Sequence, residues 1–172
     1  DLSELPMHGR HNLNNAVMAM YASFLYGVDP QKSFLALKNS SGVKRRFETI
    51  FQNNNKIVID DFAHHPTAIS TTVEAAINHF ASKKVIGIVE LASNTMSRGH
   101  HGAELYDSAA GLEQVYWLNL SSKKNQDFEY DSINLLLEDL KKDIDSIDVI
   151  LIMSNKDSKK ISEPIIDLIK SK

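Results

Sequence analysis

Four ionisable side chains fall within the six residues Asp60-Asp61-Phe62-Ala63-His64-His65, and Pro66 follows directly. Carboxylates accept hydrogen bonds and imidazoles titrate near neutral pH, so such a cluster suits ligand binding or proton handling. An apolar run, Ile57-Val58-Ile59, leads into it. Behind the proline, Ile69, Val73, Ala76, Ile77 and Phe80 recur at the spacing of one helix face. Pro66 suits the first helical position, where a missing N–H costs nothing. The ionisable residues thus stand at a strand-to-helix turn, where open α/β sheets put their ligands.

Three further groupings carry chemistry. In Gly9-Arg10-His11-Asn12-Leu13-Asn14-Asn15, Asn12 and Asn15 are three apart at a helix start and can point the same way, although one asparagine there can be a simple cap. In Gly42-Val43-Lys44-Arg45-Arg46-Phe47, a basic triplet can grip phosphate through arginine's planar fork or remain a solvated edge. From Glu90 to Gly102, Ser93, Asn94, Arg98, His100 and His101 make a loop with the makings of a substrate contact. His64, His65, His100, His101, Asp60 and Asp61 can also be read as metal ligands. Adjacent histidines rarely share one metal and no His-Glu-x-x-His spacing is present, so the sequence assigns no protein-held metal. His8 and His79 read as surface residues.

The elements that must position these residues follow from patterning. Leu13, Val17, Met20 and Phe24 predict a helix over 12–26, and Asp29-Pro30 starts a shorter one. Asn39-Ser40-Ser41-Gly42 reads as a hinge. Residues 47–52 and 56–61 predict strands joined by Asn53-Asn54-Asn55 as a hairpin. Strands at 85–90, 115–120 and 148–153 then alternate with helices at 103–111, 132–144 and 161–169. Continuous apolar strands between amphipathic helices predict a Rossmann-like, mostly parallel sheet covered on both faces, with its strand ends on one edge. At that edge Asn119, Ser154 and Asn155 read as ordinary exposed strand ends.

The chain of 172 residues is long enough for one domain with an appendage; it is 42% hydrophobic and carries a formal charge of −3, which gives no reason to expect nucleic-acid binding. It contains no cysteine, hence no disulfide or thiolate metal site. No apolar run approaches the roughly 20 residues that span a bilayer. The chain opens Asp1-Leu2-Ser3 without an initiator methionine and reads as a fragment. None of its seven glycines precedes a lysine, so a nucleotide's main phosphate cradle would lie outside it.

In this order and spacing, His11-Asn12-x-x-Asn15, Lys44-Arg45-Arg46-Phe47 and Asp60-Asp61-Phe62-Ala63-His64-His65-Pro66-Thr67 resemble the Mur ligases of bacterial cell-wall synthesis. Asp61-Phe62-Ala63-His64-His65-Pro66 and Ser93-Asn94-Thr95-Met96 are most similar to the murein peptide ligase branch, although Leu91-Ala92 replaces its usual proline and arginine. The resemblance implies residues 1–41 as the helical tail of a central ATPase domain and 42–172 as the C-terminal Rossmann-like ligase domain. It implies a cytoplasmic, ATP- and Mg²⁺-dependent ligase that joins L-alanyl-γ-D-glutamyl-meso-diaminopimelate to UDP-N-acetylmuramate through an acyl phosphate. Asn12 and Asn15 would lie near the ATP base or ribose, Arg46 near its phosphates or ribose, and Asp61 on the ribose hydroxyls. His64, His65, Ser93 and Asn94 would face the amino component, and Arg46, Asp61 and His65 would carry the catalytic rim. Mg²⁺ and the phosphate loop would belong to missing N-terminal and central domains, which leaves the fragment inactive alone. Three other readings stand beside it: an L-alanine-adding ligase domain, a metal-dependent hydrolase, and a non-catalytic binding module.

Overall fold

The computed structural model describes residues 1–7, 9–92, 94–121 and 125–171, of Asn94 the backbone only. Two helices come first, α1 (Arg10–Leu25) and α2 (Pro30–Lys38). Asp29 caps α2 by accepting from the Gln31 N–H at 2.8 Å, with Pro30 in the first turn. Strands β1 (Glu48–Gln52) and β2 (Ile57–Asp61) form the hairpin, closed by Asn53, whose side chain accepts from the N–H groups of Asn55 and Lys56. Then follow α3 (Pro66–His79), β3 (Val85–Glu90), α4 (Asn94–Ser97), α5 (Gly102–Asp107), β4 (Gln114–Leu118), β5 (Glu129–Tyr130), α6 (Ile133–Asp143), β6 (Val149–Met153) and α7 (Lys159–Lys170).

Among the described residues the strands make a six-stranded sheet in the order β1-β2-β6-β3-β4-β5. Only the β1–β2 pair is antiparallel. All residues of β2, β3 and β6 are buried, as expected of central strands with helices on both sides. The period of two divides their side chains between two cores. Ile57, Ile59, Leu151 and Val89 face α3 and α5, where Ile69, Val73 and Leu105 meet them. Val58, Ile88, Ile150 and Ile152 face α6 and α7, against Leu136, Leu140, Ile161 and Ile165. Each such buried aliphatic side chain contributes roughly 1.5–3 kcal/mol relative to exposure.

The chain leaves β2 and β3 over one face and β6 over the other. The connections leaving neighbouring strands therefore part to opposite faces at the C-terminal edge, where Asp60, Asp61, Glu90 and Ser154 lie. Some details depart from the patterning. The helix foreseen over 103–111 stops at Asp107, β4 ends at Leu118, and α4 and the two-residue β5 were not foreseen. In α1 the buried residues are Asn12 and Ala16, while Val17 and Phe24 stay 41% and 53% exposed. Among the described residues no helix is long and apolar enough to cross a membrane.

Candidate functional site at the sheet edge

Asp60 and Asp61 are neighbours in sequence but, one strand step apart, serve opposite faces. Asp61 is 1% exposed and turns toward α3. Its Oδ2 accepts from the Phe47 N–H at 2.8 Å, and its Oδ1 from the Ala63 N–H at 2.8 Å and the Thr72 hydroxyl at 3.3 Å. Burial pushes its carboxyl above the ordinary 3.8, opposed by those two N–H groups, by Arg46 and by His11. Asp60 turns toward α7, where its Oδ2 accepts from Arg45 Nε at 3.2 Å and Ser158 Oγ at 2.7 Å. Arg45 Nη2 also donates to the Ser154 carbonyl at 2.5 Å.

The segment before β1 is bent where side chains resist bending. Arg45 and Phe47 both have left-handed backbones, φ +57° and +56°. For non-glycine residues this costs about 1–2 kcal/mol each and persists only when neighbours hold it. Here the Arg45 N–H donates to Glu48, the Phe62 N–H donates to the Arg45 carbonyl at 2.9 Å, and Phe47 is held by Asp61. Between the two strained residues stands Arg46, exposed to solvent. The guanidiniums of Arg45 and Arg46 lie over the Phe62 ring, 5.0 and 5.9 Å from its centroid.

Arg46 also lines a recess of about 280 Å³ together with Asn12 and Asn15. Its remaining walls are Pro6, Met7, Ala16, Ala19, Leu37 and Val43. Apolar walls with a few polar groups at the rim suit a flat heterocycle, and the volume suits a ligand fragment rather than a whole nucleotide. His11, beside Asn12, has its Nδ1 buried without a hydrogen-bond partner among the described residues. Burial holds its imidazole below 6.5; Asp61 opposes this and Arg46 reinforces it.

The histidines separate. Nδ1 of His64 lies 2.8 Å from the Phe62 carbonyl, which can only accept, so that nitrogen carries the proton and the ring folds back onto its own turn. His65 is exposed at the start of α3, extended ahead of Pro66, and meets the His101 ring edge-on at 4.9 Å between centroids. His79 is exposed and packs against Phe47 and Phe80. His8 and Ser93 lie outside the described residues, and Asn94 opens α4. Among the described residues no group of three or more His, Asp or Glu is placed to hold a metal ion.

The reading of the strand ends as exposed needs correction. Asn119 and Ser154 are 0% exposed and Glu90 is 8% exposed, and the Ser154 hydroxyl donates to Glu90. Asn119 donates to Glu129 at 2.6 Å, and Glu129 also accepts from the Tyr106 hydroxyl and from the Asn125 N–H. Asn125 in turn donates to the carbonyls of Met96 and Ser97, tying this network to the loop after β3. Thr72 and Glu129 were not singled out from sequence as parts of the site, and Arg45 was read only as one of a basic triplet, not as a partner of Asp60. The adjacent aspartates were the available signal for a second anchor at Asp60; the partners come from distant segments.

The chain is also similar in sequence and fold to known proteins. Residues 45–157 match the family model described as Mur ligase, glutamate ligase domain. The chain is 37% identical over 137 residues to the UDP-N-acetylmuramate–L-alanine ligase of Streptococcus pyogenes serotype M28, covering 79% of this chain and 30% of that protein. It thus spans less than a third of that relative's length. It superposes on the murein peptide ligase of Psychrobacter arcticus with a TM-score of 0.70 at 31% identity, over 96% of this chain and 38% of that one. A domain of a putative UDP-N-acetylmuramate:L-alanyl-γ-D-glutamyl-meso-diaminopimelate ligase from Haemophilus ducreyi aligns over 73% of this chain and 98% of its own, with a TM-score of 0.54 at 26% identity. The chain belongs to the Mur ligase family, with the family's C-terminal ligase domain at residues 45–157.

Proposed function

We propose that this chain is the closing lobe of an ATP-dependent ligase that attaches L-alanyl-γ-D-glutamyl-meso-diaminopimelate to UDP-N-acetylmuramate during bacterial cell-wall recycling in the cytoplasm. One observation carries the reading: Asn12, Asn15 and Arg46, from two segments, line one apolar recess. The asparagine amides offer both donors and acceptors to a base, and Arg46 offers a fixed fork to phosphate or sugar oxygens. Next to Arg46, Phe62 leads into His64 and His65, where the amino component would approach with Ser93 and Asn94 on the facing loop. ATP would supply the phosphoryl group that activates the muramyl carboxylate. The residues of this lobe bring base and amine together and exclude water, a gain of proximity rather than of new chemistry.

Mg²⁺, which takes one or two carboxylates together with substrate phosphates, would be held mainly outside this chain. The metal ligands and phosphate loop would come from upstream domains, with residues 1–41 as the tail of the central one. The turn Asp61-Phe62-Ala63-His64-His65-Pro66 supports the tripeptide. The similarity to an L-alanine ligase supports L-alanine as a second reading.

Titration of the chain with ATP, followed by NMR, tests the recess: the amides of Asn12, Asn15 and Arg46 should shift together. Ligation by a full-length protein containing this chain, with UDP-N-acetylmuramate and either tripeptide or L-alanine, separates the two substrates. The 172-residue chain alone should not ligate. Turnover close to that of the full-length protein would refute the division of labour.

A further inference from the structure

We propose that Asn125 is a positioning residue for the loop after β3: its amide grips the end of the one-turn helix α4 and so holds that loop against His65, where the amino component would approach. The substrate half of this inference rests on the ligase reading above; the anchor itself does not.

A helix of four residues such as α4 cannot hold itself, because nucleation fixes several residues for one hydrogen bond. Its last carbonyls also lack partners within the helix. The Asn125 side chain serves two of them, with Nδ2 3.3 Å from the Met96 carbonyl and 3.0 Å from the Ser97 carbonyl. Both oxygens can only accept, so the amide nitrogen is the atom that faces them. The next turn makes room for this side chain. Gly99 has φ +72°, and a Cβ there would stand 3.1 Å from Asn125 Oδ1. On the other side of the turn the Met96 side chain is 0% exposed in the core beside α3 and α5.

Asn125 is itself held. Its N–H donates to Glu129 Oε2 at 3.1 Å. That carboxylate, 3% exposed, also accepts from Asn119 Nδ2 at 2.6 Å and from the Tyr106 hydroxyl. Asn119 directly follows β4 and Tyr106 lies on α5, so the loop is tied to the framework of the sheet. Further along the same loop, His101 meets the His65 ring at 4.9 Å between centroids. The tether therefore reaches the rim at which the ligase reading places the incoming amine.

Two variants test this at two levels. In Asn125→Ala the Gly99 and His100 amides, which donate to the Met96 and Thr95 carbonyls, should exchange with solvent about tenfold faster or more. Asn125→Asp keeps the shape but sets a carboxylate against two carbonyls, and should do the same. In a full-length protein containing this chain, both variants should raise KM for the amino component about tenfold, while KM for ATP changes by less than about twofold. The thermal midpoint should move by no more than about 4 °C, which separates a displaced loop from general unfolding.

Unchanged exchange at Gly99 and His100 overturns the anchor. Equal rises in KM for ATP and for the amino component overturn the positioning role, and so does faster exchange with no change in either KM. An unmodified full-length protein that turns over neither the tripeptide nor L-alanine would instead sink the ligase reading, and the substrate half of this inference with it.

Discussion

Arg45 and Asp60 show how much one buried partner matters. Asp60 is 4% exposed and keeps one oxygen, Oδ1, without a hydrogen bond among the described residues. Arg45→Ala would leave that carboxylate with Ser158 but without a cation, and should cost about 2–3 kcal/mol in urea unfolding. A loss below about 0.5 kcal/mol would mean that water replaces the guanidinium. His11 supports a pH prediction. Its folded value lies below 6.5, so the folded chain binds fewer protons there than the unfolded one. Its contribution is therefore present above pH 6.5 and is lost as pH falls through the lowered value. Asp61 runs the other way: its raised value favours folding below pH 3.8 and loses that contribution as pH climbs through the folded value. His11→Gln should flatten the acid side of the stability curve, read by thermal unfolding between pH 7 and 5, about where an imidazole titrates. At this scale the residue types were legible, since paired aspartates and histidines before a proline announce a site. Their partners were not. Thr72 is 11 residues from Asp61 and Ser158 is 98 from Asp60.

The elements were legible where burial repeats over many residues. The apolar runs of β2, β3 and β6 and the stripe on α3 announced themselves, because each must satisfy one burial pattern over several residues. Ile69, 0% exposed on α3, should cost about 2–4 kcal/mol as Ile69→Ala. Phe24, 53% exposed on α1, should shift stability of this chain by no more than about 0.5 kcal/mol as Phe24→Ser, measured by the same unfolding curves. The contrast is informative because both residues sit in apolar helical stripes. Pattern alone does not say whether another surface covers the stripe. Short elements escaped for a related reason. β5 has two residues, too few for any period, and exists because Glu129 and Tyr130 pair with Trp117 and Leu118. The polar strand ends were misjudged because a strand's last residue is exposed only when nothing folds over it, and here Glu129 pairs with Asn119 while Glu90 and the Lys156 N–H engage the Ser154 hydroxyl.

Across the whole molecule, the recess exists only because α1, α2 and the turn before β1 converge, and Arg46 closes it. Arg46→Ala in a full-length ligase should raise KM for ATP about tenfold or more, while KM for the amino component changes by less than about twofold, which steady-state kinetics with each substrate varied would read. Equal effects on both would place Arg46 between the substrates rather than on the nucleotide. From its sequence alone, the protein's family, its alternation of strands and helices and its cluster of ionisable residues follow, because motif identity and hydrophobic period are local properties. Only the tertiary structure decided that Asp60 and Asp61 serve opposite faces, that Asp61 is engaged by backbone rather than open to solvent, and that His65 meets His101. Each of these depends on which distant segments pack together, and packing is settled by the summed burial of the two cores rather than by any neighbour in the chain.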